Sequence, residues 1–464
     1  MLKIDTTSLH FVGIGGIGMS GIAEVFLNQG YSVSGSDLHE SDTTRHLAKL
    51  GATIQIGHRA ENVRNVKVVV ISSAVRADNP EVMEARRLRV PVIPRAEMLG
   101  ELMRGRTGIA VAGTHGKTTT TSMLGSVLTF AGLDPTLVVG GKVNALGTNA
   151  KLGQGRWLVA EADESDGSFL HLPATLGIIT NIDNDHLDHY KSMEGVENAF
   201  VDFVGKLPFY GVAAVCAEDS GVRRILGRLM KPVITYGFSD EWDYSARKIR
   251  VQGLGSRFEV YSRLEDRILG EVGLQVPGEH NVLNALSTIA IGSKIGIPFD
   301  QIVQGLWEFR GVKRRFEVRW ESAERQQVIV DDYAHHPTEI AATLAAARAY
   351  WKGRIITVFQ PHRYSRTIHC RDGFLSAFRK TDVLFMTDIY AAGEDPIEGV
   401  SAPELVSAIR KTSNESQMIE YTGNLEATRE SLLKILQPGD LVLCCGAGSI
   451  SQLAQQLIAG LERG

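Results

Sequence analysis

Gly113-Thr114-His115-Gly116-Lys117-Thr118-Thr119-Thr120-Thr121 is the stretch that decides the fold. It follows Gly108-Ile109-Ala110-Val111-Ala112, a short apolar run that reads as a buried strand, and precedes Ser122-Met123-Leu124-Gly125-Ser126-Val127-Leu128, which reads as a helix. Strand, glycine turn, lysine, hydroxyl and helix in that order make a phosphate cradle. The glycines let backbone N–H groups converge on an anion, the helix N-terminus adds partial positive charge, and Lys117 brings a point charge to the outer phosphates. The Thr118 hydroxyl is placed for a magnesium ion. The common phosphate loop has a further glycine five positions before Gly116; here that position is Val111, so the loop is a shorter form. A fortuitous lysine beside a glycine turn is the bland alternative, and it does not explain why all five features arrive in register.

Working outward from this loop, the chain has room for several domains: 464 residues can bury two to four separate cores. A hydrophobic content of 44% and a charged content of 22% are ordinary for a globular protein. A formal net charge of -4 gives no broad basic field, which argues against a nucleic-acid partner. Cys216, Cys370, Cys444 and Cys445 lack metal-ligand spacing and fit a reducing, cytoplasmic setting. No basic start followed by a long apolar run suggests a signal peptide, and no run is long enough to span a membrane.

Upstream of the phosphate loop, His10-Phe11-Val12 leads into Gly13-Ile14-Gly15-Gly16-Ile17-Gly18, then a helix, then Tyr31 to Asp37 as a second strand ending on an acid. A tight turn, close backbone approach to a pyrophosphate and a carboxylate within reach of a ribose hydroxyl are the parts of a dinucleotide-type fingerprint. Nucleotide sugars carry the same pyrophosphate and ribose as NAD, so the motif alone leaves both open. Ser72 and Ser73 end another strand; they either meet a ligand or form an ordinary turn. Arg104-Gly105-Arg106 reads as a polar linker closing this first unit.

Downstream, the strand beginning at Trp157 delivers Glu161, Asp163, Glu164 and Asp166 at its carboxyl end. Beside a triphosphate such a cluster suits a divalent cation; without the phosphate loop it would be a solvated acidic turn. Asp183-Asn184-Asp185-His186-Leu187-Asp188-His189 follows a further strand, and taken alone it could form a zinc or hydrolase-type site. His280, Asn281 and Asn284 open a helix, a pairing of asparagines that a simple cap does not require. Arg310, Lys313, Arg314 and Arg315 read as a solvated turn or an anion clamp at an interdomain joint. Asp331-Asp332-Tyr333-Ala334-His335-His336-Pro337 and His362-Arg363-Tyr364-Ser365-Arg366-Thr367 each follow a strand. The recurring order of strand, polar loop and helix predicts three α/β units with largely parallel sheets.

In this order the Gly-Thr-His-Gly-Lys-Thr loop, Glu161 with His186, Asn281 with Asn284, Asp-Tyr-Ala-His-His-Pro and His-Arg-Tyr-Ser-Arg-Thr resemble the Mur ligases, which build the peptide of bacterial cell-wall precursors. The resemblance spans essentially the whole chain. It implies an α/β fold of three domains: a Rossmann-like domain at 1–105 for a UDP-sugar, a central P-loop ATPase-like domain at 106–308, and a Rossmann-like, amino-acid-binding domain at 309–464. The UDP-sugar would meet Gly13, Gly15, Gly16, Gly18, Asp37, Ser72 and Ser73. ATP would meet Gly113, Thr114, His115, Gly116, Lys117, Thr118, Thr119, Asn281, Asn284, Arg314, Arg315 and Asp332. Magnesium, with manganese as a substitute, would sit on Thr118, Glu161 and His186. Lys117, His335, Arg363 and Arg366 would surround the reacting groups.

The implied activity is ATP-dependent ligation through an acyl phosphate, and the nearest resemblance is to the members that join L-alanine to UDP-N-acetylmuramate, as a monomer or homodimer. Sister ligases carry a carbamate-modified lysine about four helical turns after the metal histidine. Ala199-Phe200-Val201-Asp202-Phe203 has none, as in the alanine-adding members. A recycling ligase that attaches a preformed tripeptide to the same sugar nucleotide is the alternative within the family. A nicotinamide-dependent dehydrogenase would explain Gly13 to Asp37 but leave Lys117 idle, and a nucleotide switch would do the reverse.

Overall fold

Three sheets each grow around a strand that is buried apart from its first residue in two cases, Ser8 and Thr107: Ser8–Val12, Thr107–Ala112 and Leu441–Cys445. Strands buried on both faces tolerate continuous Val, Ile, Leu and Ala, which is how these runs read. The computed structural model describes residues 8–72, 74–140 and 150–461.

The first sheet has five strands in the spatial order Thr53–Ile56, Ser32–Asp37, Ser8–Val12, Val68–Ile71, Val92–Pro94, all parallel. Its helices are locally well specified. Ser41 caps Asp42–Lys49 with a reciprocal capping box through Thr44, and Asn79 caps Pro80–Arg87, where Pro80 fits the first turn.

The second sheet has ten strands, with Leu176–Ile179, Thr107–Ala112 and Trp157–Glu161 adjacent and parallel at the phosphate loop. One side extends through Val212–Cys216 and Val233–Gly237 to Tyr244–Gln252, Gly255–Ser262 and Arg267–Leu274; the other ends on Thr136–Val138 and Ala150–Lys151. The third sheet orders Glu317–Ser322, Gln327–Asp332, Leu441–Cys445, Ile355–Phe359, Val383–Thr387 and Met418–Gly423, with only the first strand antiparallel.

Packing divides the chain into two compact units. The first holds the first sheet and most of the second, and the other holds residues 311–464 with the short segments 249–257 and 274–282. Arg104-Gly105-Arg106 is a tight turn, with the Arg106 N–H on the Met103 carbonyl, and it leads directly into Thr107–Ala112. Nearby, Gly100 lies against the His171 carbonyl and Gly108 against Met103, so the first two sheets share one apolar core. No helix among the described residues is long and apolar enough to cross a membrane.

Candidate active site

The phosphate loop is shaped by glycine where only glycine fits. Gly113 has φ +132°, and a Cβ there would lie 2.0 Å from Thr180 Oγ1; Gly116 has φ +82° and meets Asn284 Oδ1. The neighbouring strand end pins the loop from the side. Thr180 Oγ1 and Asn181 Nδ2 donate to the His115 carbonyl, the His115 N–H donates to Asn181 Oδ1, and the Asp183 N–H donates to Thr114 Oγ1. His115 Nε2 and Asp183 Oδ2 are 3.0 Å apart. Helix Lys117–Phe130 starts after Gly116 with no side-chain cap, which leaves first-turn N–H groups to an incoming anion. Thr118 is half-buried at that start, and Thr119 is buried behind it.

Lys117 Nζ donates to the carbonyls of Gly113 at 2.6 Å and Thr114 at 3.1 Å, and to Glu164 Oε1 at 2.8 Å. Burial pushes the ammonium pKa down, but Glu164 with Asp163 and Glu161 more than offsets this, so Lys117 stays charged. Glu164 is only 2% exposed, and burial raises its pKa against the opposing pull of Lys117. Its Oε2 is buried with no hydrogen-bond partner among the described residues. Tyr190 anchors the Glu164 backbone by donating its hydroxyl to that carbonyl, and His186 Nε2 lies 3.7 Å from Glu164 Oε1. His186 itself has φ +59° at the start of the short helix Leu187–Tyr190.

Next to Glu164, Asp163 pairs with Arg95 Nη2 at 2.8 Å. Burial raises the Asp163 pKa, but Arg95 and Ser165 outweigh it and keep the carboxyl below its usual range. Glu161, at the end of Trp157–Glu161, accepts the Gly140 N–H at 2.7 Å. A hard divalent cation asks for oxygen donors. The Thr118 hydroxyl, the Glu161 carboxylate and the open oxygen of Glu164 fit that demand, with His186 as the nitrogen donor.

Five residues of the first glycine motif's expected site, Gly13, Gly15, Gly16, Asp37 and Ser72, line one cavity of about 840 Å³ together with His39, Ser41 and His58. Gly18 lies instead against the Arg95 guanidinium, and Ser73 is outside the described residues. Asp37 accepts the Gly15 N–H at 2.9 Å and the Leu38 N–H at 2.8 Å, so it shapes the loop as well as facing the cavity. The Ser36 carbonyl takes the N–H groups of Gly13 and Ile14.

In the second unit, Arg314 and Arg315 both cover the Tyr333 ring, with guanidinium carbons 5.1 and 5.4 Å from its centroid. Arg314 also reaches Asp331 and the Gly446 carbonyl, while Arg315 pairs with Glu339 at 3.0 Å. Asp332 is buried and accepts from the Phe316 and Ala334 N–H groups and from Thr343 Oγ1; burial pushes its pKa up to about 6. His335 Nδ1 contacts the Tyr333 carbonyl at 3.0 Å, and burial draws its pKa down to about 3, so the ring is neutral. His335 also packs on His362, whose own pKa falls to about 4 through burial and the nearby Arg366 and Arg363. Arg366 Nη1 is 3.4 Å from His362 Nδ1, and Arg363 takes φ +68° just before helix Tyr364–His369. His335, His362, Arg363 and Arg366 thus form one neighbourhood. Asn281 donates to the Pro277 carbonyl at 2.7 Å, whereas Asn284 belongs to the first unit, where it adjoins Gly116.

Sequence reasoning missed Arg95 and the buried Glu81. Glu81 receives Ser36 Oγ and Asn62 Nδ2, both at 2.6 Å, and faces His58 Nδ1 at 3.2 Å and His10 Nε2 at 3.4 Å. No local pattern marks either residue, because each finds its partners through tertiary packing. Glu164 stood inside the recognised acidic cluster, yet nothing in the sequence distinguished it from its neighbours.

Comparison with known proteins extends over the whole of this architecture. Residues 8–107 match the Mur ligase family, catalytic domain; residues 111–292 the Mur ligase middle domain; residues 314–448 the Mur ligase, glutamate ligase domain. A UDP-N-acetylmuramate--L-alanine ligase of Geobacter sulfurreducens is 56% identical over 456 residues, covering 98% of this chain and 97% of the relative. The crystal structure of UDP-N-acetylmuramate-alanine ligase from Thermotoga maritima is similar with a TM-score of 0.83 at 30% identity, over 98% of this chain and 99% of that one. A murein peptide ligase from Psychrobacter arcticus shares the fold, with a TM-score of 0.71 at 24% identity over 98% of both chains. With three matched domains in the family's order and a curated relative more than half identical along its length, this chain belongs to the Mur ligase family.

Proposed function

We infer that this protein joins the amine of L-alanine to the carboxylate of UDP-N-acetylmuramate at the expense of ATP, forming an amide, ADP and phosphate in peptidoglycan precursor synthesis. The relatives' shared activity supports the choice of substrates. The observation that carries the chemistry is Lys117, charged and held over a glycine loop whose helix has no side-chain cap among the described residues, in the same compact unit as the 840 Å³ glycine-lined cavity.

A carboxylate is a poor electrophile at neutral pH, so its oxygen first takes the γ-phosphoryl group and releases ADP. Lys117 and the loop N–H groups stabilise charge on the phosphoryl group as it transfers. Thr118, Glu161 and His186 would hold magnesium or manganese, which when bound offsets phosphate charge. L-Alanine arrives as an ammonium and sheds one proton to solvent; the free amine then attacks the acyl phosphate carbon, the C–O bond to phosphate breaks, and the second proton leaves with the released phosphate as the amide forms. His335, neutral at physiological pH, offers a ring nitrogen to the incoming ammonium, and Arg363 and Arg366 attract the carboxylates. Arg314, Arg315, Asp332, Asn281 and Asn284 are assigned to ATP, and the Gly13 to Gly18 loop with Asp37, Ser72 and Ser73 to the UDP-sugar. The assignment follows domain limits of 1–105, 106–308 and 309–464. Four free cysteines fit a cytoplasmic enzyme.

The test is phosphate release with ATP, magnesium and UDP-N-acetylmuramate, comparing no amino acid, L-alanine, glycine, L-serine and tripeptide. Release that requires both the sugar nucleotide and L-alanine is expected. Release with tripeptide alone moves the chain to the recycling branch. Lys117→Ala is expected to lower turnover by about a hundredfold or more while sugar-nucleotide binding persists; wild-type turnover would remove Lys117 from the chemistry.

A further inference from the structure

We propose that Glu164 is a positioning residue that holds Lys117 in the phosphate loop and makes nucleotide binding selective for the metal-chelated triphosphate over the free one. The proposal rests on the reading of the Gly113 to Thr118 loop as the ATP site. An ammonium has three N–H donors, and all three of Lys117 are committed, two to carbonyls of its own loop and one to Glu164 Oε1. A phosphate oxygen therefore has to share or displace a contact. The carbonyls curl the lysine over the loop, whereas Glu164 supplies the only negative charge among the three and stands in for the phosphate.

Glu164 cannot swing away into water. It is 2% exposed, its backbone carbonyl is tied to the Tyr190 hydroxyl, and its neighbour Asp163 is fastened to Arg95. The carboxylate therefore stays beside any phosphate that reaches Lys117. Free triphosphate meets it as a like charge in a poorly solvated place, where such repulsion is strong. A triphosphate carrying a divalent cation meets it differently, because Glu164 Oε2 is buried and unpartnered among the described residues, and the other oxygen, Oε1, lies 3.7 Å from His186 Nε2. The same carboxylate then faces a positive ion.

The experiment is calorimetric titration of ATP with EDTA or with magnesium into wild type, Glu164→Gln and Glu164→Asp. UDP-N-acetylmuramate binding serves as a check on the fold. The quantity read is the ratio of the two dissociation constants, free over chelated. Glu164→Gln is expected to lower this ratio by about tenfold or more, chiefly by tightening free ATP, while Glu164→Asp, which keeps the charge, retains most of it. Equal tightening of both forms would make Glu164 a mere competitor for Lys117, and equal weakening would make its role structural; either overturns the proposal. If Glu164→Gln does not fold, Lys117→Met is compared with Lys117→Met/Glu164→Gln. The proposal expects a lower ratio in the double variant, and equal ratios refute it. Wild type that binds no chelated ATP would sink the underlying assignment of the loop as well.

Discussion

Glu81→Gln probes the buried network beneath the glycine-lined cavity assigned above to the sugar nucleotide. In the native chain the carboxylate takes two short hydrogen bonds from Ser36 and Asn62 and faces His58 and His10, with no exposure to water. Burial pushes the Glu81 pKa up, but the nearby His10 ring and the hydrogen bonds from Ser36 and Asn62 outweigh it and leave the group below its usual 4.5. Hydrogen bonds to a charged group contribute about 1.5–3 kcal/mol each, and the unfolded carboxylate recovers part of that from water. The amide keeps one acceptor but turns N–H donors toward groups that donated to the lost oxygen, so the expected loss is about 2–4 kcal/mol. For a unit of this size that lowers the melting temperature by roughly 3–7 °C.

The functional consequence is local. Ser36 also holds the Gly13 and Ile14 N–H groups through its carbonyl, and His58 lines the cavity, so affinity for UDP-N-acetylmuramate should fall while chelated ATP still binds. The pH dependence has a definite sign. A depressed carboxylate stabilises the fold above its unfolded pKa, and that contribution fades as pH drops through the folded value. The gap between wild type and variant should be complete near neutrality and shrink below pH 4.5. Calorimetry at both pH values with sugar-nucleotide titration checks this. Equal melting temperatures at neutral pH, or a gap that widens in acid, would refute the reasoning.

Thiol reagents should modify Cys370 alone in the native protein, because Cys216, Cys444 and Cys445 are buried and burial raises their thiol pKa values; fast labelling of more than one site contradicts the packing. If ionised Asp332 serves ATP binding, kcat/KM should carry an acidic limb near its raised pKa of about 6, and Asp332→Asn should remove that limb. An unchanged profile would separate Asp332 from the nucleotide. Arg95→Ala should reduce the factor by which UDP-N-acetylmuramate changes ATP affinity, since Arg95 contacts both Gly18 and Asp163; the factor follows from ATP titrations with and without the sugar nucleotide.

The parts of the fold legible in sequence were those written locally. The Thr107–Ala112 strand, the glycines at 113 and 116 and the helix from Lys117 follow from apolar runs, left-handed backbone and missing caps, all short-range properties. The long strands between Tyr244 and Leu274 were passed over although Gly255–Ser262 alternates buried and half-buried residues, because no chemical motif drew attention to them and their pairing is set by tertiary packing. Asp37 was read correctly as a strand-ending acid, but its bond to Gly15 is decided by how the loop turns back, which no spacing rule contains. Asp332 was singled out by motif, while its three protein donors come from segments as distant as Phe316 and Thr343.

These long-range charges lie between the motifs rather than within them. From Gly18 the contacts run to Arg95, then to Asp163, then along one peptide bond to Glu164 and on to Lys117. A ligase that must bring a sugar nucleotide and a triphosphate to one reaction has to fix two anion-binding loops relative to each other. Repelling anions make that hardest at the point of closest approach. Two adjacent acids, Asp163 and Glu164, each paired with a cation, Arg95 and Lys117, place counter-charge between the two loops inside one compact unit. The glycine motifs mark where anions are expected, and this short chain of charges ties the two loops to each other within that unit.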